Sequence, residues 1–169
     1  MRGQIIKAIS GEYTVLSNGQ SFVCKPMGIF RHKNISPKVG DIVTIDNNMI
    51  TDIEDRINDL NRPSIANVDK VFIITSLTEP DLNTNLLDRL ICQVEWENIN
   101  IVLVFTKADL ININEYNDII HYYQGLNYRV YVAPGSHNEI INEINDNICV
   151  VAGQSGVGKS TLINTLNDF

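Results

Sequence analysis

The chain has 169 residues, 44% of them hydrophobic and 20% charged, which suits one medium or two small domains with the composition of a globular protein, so disorder is not the default expectation. Its net charge of −7 would argue against a nucleic-acid partner if it were uniform. It is not: residues 1–63 hold eight Lys and Arg against seven Asp and Glu, and the remainder holds five against thirteen, so the two parts are expected to meet different partners.

From residue 3 to about 54 the sequence reads as short alternating strands, at 3–9, 12–16, 20–25, 41–46 and 49–54. Asn18-Gly19, a strong hairpin signal, joins the second to the third, and an Asn47-Asn48 turn joins the fourth to the fifth. Five short strands predict a small all-β barrel, closed or partly open, of the oligonucleotide-binding (OB) type. The loop from 25 to 38 carries Lys25, Arg31, His32, Lys33 and Lys38 with Phe30 among them and no acidic residue. Two readings stand at this point. The loop is an RNA-facing edge, with cations on phosphates and one ring on a base, or it is a solvated loop whose charges keep the barrel soluble.

Alternation stops after 55, and Asn61-Arg62-Pro63-Ser64 marks a linker, which puts the expected domain boundary between 62 and 63. Strands and helices then take turns. Residues 71–77 are an apolar strand, and Leu82, Leu86, Leu87, Leu90, Ile91 and Val94 recur at helical spacing up to Trp96; this stripe and Trp96 are expected in the core. A strand at 101–106, a weaker helix at 114–124, a strand at 129–133 and a second weak helix at 137–144 follow. This order predicts a parallel sheet with covering helices and ligands at the carboxyl ends of its strands. The three cysteines, Cys24, Cys92 and Cys149, share no metal-ligand or redox spacing with one another or with His32, His121 and His137, so neither a disulfide framework nor zinc is indicated. No apolar run approaches a membrane span, and the start of the chain lacks an apolar signal core, so a cytoplasmic location is expected.

The most specific chemistry lies near the end. An apolar strand at 148–151 runs into Gly153, four residues (Gln154, Ser155, Gly156, Val157), then Gly158, Lys159, Ser160 and Thr161. This is phosphate-loop spacing. Glycines let backbone N–H groups curl around a polyphosphate, the following helix points its positive end there, Lys159 reaches the terminal phosphates, and Ser160 holds magnesium. Such a loop names a nucleoside triphosphate and not a base. A base reader stands upstream, at the end of the 101–106 strand: Thr106, Lys107, Ala108 and Asp109. A fixed carboxylate there accepts two hydrogen bonds from the N1–H and N2–H of guanine, which adenine cannot supply. The stem of Lys107 can lie along the base.

Thr106-Lys107-Ala108-Asp109 matches the Asn/Thr-Lys-x-Asp guanine motif of GTPases, yet it precedes the phosphate loop, the order of a circularly permuted GTPase. With the barrel in front, the RPSIANVD segment at 62–69, the NLLDRL helix at 85–90 and GQSGVGKST at 153–161, the chain resembles the ribosome small-subunit-dependent GTPase A family, also called YjeQ or RsgA. The resemblance implies a GTPase that acts late in assembly of the small ribosomal subunit, using GTP or GDP with Mg²⁺, its barrel on ribosomal RNA. Carried over to this sequence, Thr106 to Asp109 read guanine, Gly153 to Thr161 cradle phosphates and Ser160 holds the metal. It also favours RNA contacts for Lys25, Phe30, Arg31, Lys33 and Lys38. Rival readings are an RNA-binding module with an inactive nucleotide unit, and a P-loop ATPase carrying an unrelated barrel.

Two departures matter. Family members continue into an Asp-x-x-Gly switch and a zinc-binding domain, whereas no aspartate lies three residues before any glycine here. On that likeness the chain is expected to be a piece of something longer, to turn over GTP poorly, and to expose the strand ending at Val151 as an apolar edge inclined to self-association, where the family is expected to be monomeric. The second departure is at Ala133-Pro134-Gly135-Ser136, which replaces the usual base-backing Ser-Ala element and leaves open whether this loop touches the base.

Overall fold

A computed structural model describes residues 1–32, 35–145 and 147–167, with the side chains of Arg31, His32 and Asn167 outside the description. The chain divides into two compact units between Val68 and Asp69.

The first unit is a closed barrel of β1 (Arg2–Ile9), β2 (Glu12–Ser17), β3 (Gln20–Pro26), β4 (Ile42–Asp46) and β5 (Met49–Ile53), in the order β1-β2-β3-β5-β4. Three two-residue turns set its register. Asn18 and Gly19 both have positive φ, as do Asn47 and Asn48, and so do Ser10 and Gly11 between β1 and β2. Paired positive φ matches the right-handed twist of the strands that such turns join. β1 closes on β4, and β3 meets β5 in a short parallel pairing. Inward side chains Ile5, Tyr13, Val15, Cys24, Val43, Ile45 and Ile50 fill the barrel, joined by Phe30 from the single-turn helix α1 (Ile29–His32). A ribbon of β6 (Asp59–Leu60) and β7 (Ile65–Ala66) extends this unit past the expected linker. Asp41, fully buried, takes both Nε (2.7 Å) and Nη2 (2.9 Å) of Arg56, and Arg56 also holds Asp59 (2.7 Å). Arg56 and Asp59, just ahead of the expected linker, are therefore internal fasteners, whereas Asn61, Arg62, Pro63 and Ser64 are exposed.

The second unit is a four-stranded parallel sheet in the order β10-β9-β8-β11, made of β8 (Lys70–Ser76), β9 (Asn100–Thr106), β10 (Arg129–Val132) and β11 (Cys149–Ala152). Phe72, Ile74, Val102 and Val104 project to one face and pack with Ile140 of α4 (His137–Ile144) and Leu162 of α5 (Lys159–Asn167). Facing the other way, Phe105 meets Tyr123 of α3 (Asn117–Gly125), with ring centroids 6.2 Å apart. The helix α2 (Thr84–Trp96) is capped by Asn83, whose side chain accepts from the Leu86 N–H. It buries Leu87, Ile91 and Val94, each fully buried aliphatic side chain stabilising by roughly 1.5–3 kcal/mol. One expectation fails here: Trp96 is 85% exposed. It stands two residues past Val94, about 200° around the helix from the buried stripe. Among the described residues β11 is an edge strand, and no helix is long and apolar enough to cross a membrane.

Candidate functional site

The carboxyl ends of β8, β9 and β11 converge on one side of the sheet, and the residues found there are those at the motif positions. β11 delivers the chain at Ala152 into the loop 153–158. Gly153 has φ 147°, and a Cβ at this position would sit 2.2 Å from the carbonyl oxygen of Ile74 in β8. No side chain fits. Gly156 and Gly158 also have positive φ. The loop is thus a backbone cradle of a shape only glycine permits, opening at the first turn of α5, where unpaired N–H groups and the helix dipole favour an anion. Ser155 and Gly156 are exposed at its rim, Val157 is buried beneath it, and Ser160 and Thr161 are exposed in the first turn of α5. Lys159 folds back over the loop and donates to the carbonyls of Gly153 (3.0 Å) and Gln154 (2.6 Å). Two of its three ammonium protons hold the cradle's shape, which keeps its charge beside the loop. These residues fit a triphosphate, and the exposed hydroxyl of Ser160 fits an octahedral magnesium that keeps most of its waters.

The second motif joins the first through a hydroxyl. Thr106, 5% exposed, donates to the carbonyl of Val157 at 2.6 Å, with the Thr75 carbonyl also in reach at 3.3 Å. The end of β9 is thereby tied to the phosphate loop across 51 residues of sequence. Lys107 adopts a left-handed backbone with φ 62° and donates through Nζ to the carbonyl of Glu79. This conformation turns the chain so that Ala108 and Asp109 enter a tight turn ending at Leu110. The loop after β10 is bonded to the same place: Ala133 N–H donates to Phe105 (2.8 Å) and Ala108 N–H donates to Ala133 (3.3 Å).

These three segments enclose a cavity of about 370 Å³, the lower end of the size range for a small-molecule site. Thr106, Lys107 and Asp109 line one side, Ala133, Pro134 and His137 another, and Gly158 and Thr161 a third. A base resting on the first two sides would have its phosphates directed at the third. The sequence left the 133–136 loop open; Ala133 and Pro134 line the cavity even though the residue types depart from the usual pattern. Four further wall residues went unread: Leu110, His137, Leu162 and Thr165. The latter two share a helical face with Thr161, so periodicity could have found them, whereas nothing local marks His137.

The basic loop of the barrel behaves differently. Lys25 is exposed, 3.6 Å from Glu12. Phe30 is only 6% exposed and belongs to the barrel core, so its expected stacking on a base is corrected: burying the ring stabilises the unit more than solvating it would. Lys38 is corrected likewise. Its ammonium bonds to Asp59 (2.5 Å) and to the Leu60 carbonyl (3.3 Å), which ties the loop to the ribbon. The Arg31 side chain and Lys33 lie outside the described residues. Among the described residues no His, Cys, Asp and Glu side chains gather as a metal site.

Residues 53–168 match a family model described as RsgA GTPase, and residues 2–52 match one described as the RsgA N-terminal domain. "Small ribosomal subunit biogenesis GTPase RsgA 2" of Oceanobacillus iheyensis is 42% identical over 98% of this chain and 60% of its own length. "Small ribosomal subunit biogenesis GTPase RsgA 1" of Listeria monocytogenes is 43% identical over 99% of this chain and 61% of its own. Among solved structures, YloQ, a circularly permuted GTPase, superposes with a TM-score of 0.76 at 38% identity, covering 96% of this chain and 63% of YloQ. YjeQ from Thermotoga maritima gives 0.82 at 30% identity, covering 98% and 64%. The chain therefore spans about 60% of the length of the curated relatives it matches.

Proposed function

The chain belongs to the RsgA GTPase family, and from that premise we propose that its second unit binds GTP and GDP with magnesium, and that the whole protein couples GTP hydrolysis to late maturation of the small ribosomal subunit. In this reading Thr106, Lys107, Ala108 and Asp109 form the base site, with the Asp109 carboxylate accepting from N1–H and N2–H of guanine. Ala133 and Pro134 back the ring. Gly153, Gln154, Ser155, Gly156, Val157 and Gly158 wrap the phosphates, Lys159 neutralises them, and Ser160 and Thr161 lie at the helix start. Magnesium held by Ser160 would supply further neutralisation between phosphate oxygens. Circular permutation does not hinder this, because binding needs loops to converge in space and is indifferent to their order in the chain.

The observation that carries the reading is the 2.6 Å hydrogen bond from Thr106 to Val157, which fixes the base-reading end of β9 against the phosphate cradle. One nucleotide can then reach both. The test is equilibrium binding of fluorescent GDP, XDP and ADP to the protein and to Asp109→Asn. Exchanging an acceptor for a donor should cost roughly tenfold to a hundredfold in GDP affinity, from one or two charge-assisted bonds of about 1.5–3 kcal/mol each, and should favour XDP. Unchanged selectivity, or ADP binding as tightly as GDP to the unaltered protein, would remove Asp109 from the base site.

For the first unit the reading is contact with ribosomal RNA of the small subunit through Lys25, Arg31 and Lys33. Its support is the OB-type barrel together with the names of the relatives. RNA affinity should then fall steeply with salt, and Lys33→Glu should weaken it.

A further inference from the structure

The second unit has another concavity, a groove of about 540 Å³ between the start of α2 and the segment leading into α3. Leu82, Tyr116, Ile119 and Tyr122 give it an apolar, aromatic floor, and Tyr122 remains 58% exposed. Asp81, Glu115 and Asp118 stand around it, all exposed, and no Lys or Arg lines it. Among the described residues none of these three carboxylates is in an ion pair, whereas Glu12, Asp41, Glu54, Asp59 and Glu143 all are. Residues 64–169 as a whole hold thirteen acidic side chains against five basic ones.

We propose that this groove docks an arginine-rich segment of a protein partner. A guanidinium is planar, weakly hydrated and always charged. It can stack on Tyr116 or Tyr122 while its N–H groups meet Glu115 or Asp118 two at a time. Nucleic acid is the wrong occupant, because its phosphates would face three carboxylates with no cation between them. An uncharged apolar helix is wrong as well, since covering the floor would strip water from the rim carboxylates without pairing them. The groove is built by α2 and α3 and does not require that the nucleotide cavity bind GTP, so either assignment can fail without the other.

The experiment is fluorescence anisotropy of labelled hexa-arginine, hexa-lysine and a 12-nucleotide RNA with the full chain at physiological salt, with circular dichroism confirming the fold of each variant. Hexa-arginine should bind several-fold more tightly than hexa-lysine. Glu115→Lys with Asp118→Lys should weaken it by about tenfold, as loss of steering and pairing by two rim charges implies. Tyr122→Ala should weaken it by about threefold through lost stacking. A double variant with the same charge change on the barrel, Asp52→Lys with Asp55→Lys, should leave it unchanged. Equal losses in the two charge-reversed proteins would show diffuse attraction to an acidic surface and overturn the proposal. So would an unaffected affinity in both groove variants, or RNA binding that Tyr122→Ala weakens.

Discussion

The loop at 153–161 and the loop at 25–38 both present positive charge, and they do so by different means. In the first the chemistry is carried by the main chain. Gly153 must be glycine because a Cβ would strike Ile74, and the loop's N–H groups and the start of α5 supply the polarity with Lys159 added on top. In the second the chemistry is carried by side chains, and the structure uses two of them internally: Phe30 in the core and Lys38 on Asp59. A backbone cradle has one use. A flexible cation has several, and whichever neighbour lies nearest decides among them.

The largest expected effect tests the backbone side of that contrast. Gly153→Ala should abolish nucleotide binding, because the added Cβ would sit 2.2 Å from the Ile74 carbonyl oxygen, measured by titration with fluorescent GDP; near-normal affinity would mean the cradle tolerates a Cβ and is not the phosphate site. Next, Phe30→Ala should destabilise the barrel by about 3–5 kcal/mol, read from urea unfolding of the first unit. An intact unfolding midpoint with impaired RNA binding would return Phe30 to the surface role that its burial argues against. Lys38→Ala should cost about 1 kcal/mol, the upper end for an ion pair that is only partly exposed, and should leave the salt slope of RNA binding as it was. A reduced slope would show that Lys38 reaches phosphates after all.

The smallest effect concerns a charge committed internally in the second unit. Burial alone would raise the Glu143 carboxyl, but donors from Lys70 (2.7 Å), Tyr131 (2.9 Å) and Arg129 (2.6 Å) outweigh it and hold it below its ordinary value of 4.5. A carboxylate depressed on folding contributes stability that is present above its unfolded pKa and is lost as pH falls through the folded one. Thermal unfolding should therefore show a loss below about pH 4.5 that is shallower in Glu143→Gln. Parallel acid-side curves would mean that Glu143 titrates alike in the folded and unfolded states.

Several parts were legible beforehand for one reason: their signals are local. Asn18-Gly19 and Asn47-Asn48 make the turns their types require. Apolar runs become the buried strands β8 and β9, and the glycine spacing at 153–158 becomes the cradle. Side-chain destinations were less legible. The helical stripe predicted Leu87, Ile91 and Val94 but wrongly included Trp96. Composition alone could not separate Lys25, which faces water, from Lys38, which does not, because that depends on where Asp59 lies after folding. His137 shows the same limit: only the path of the chain after β10 brings it to the cavity wall.

What the sequence alone determined is everything written in backbone terms: the register of hairpins, the alternation of strand and helix, and a glycine loop that admits no side chain. The tertiary structure decided which charges face outward and which separated segments share a cavity. Two loops 51 residues apart are joined by one hydroxyl, and a contact of that kind exists only once the sheet has aligned the ends of its strands.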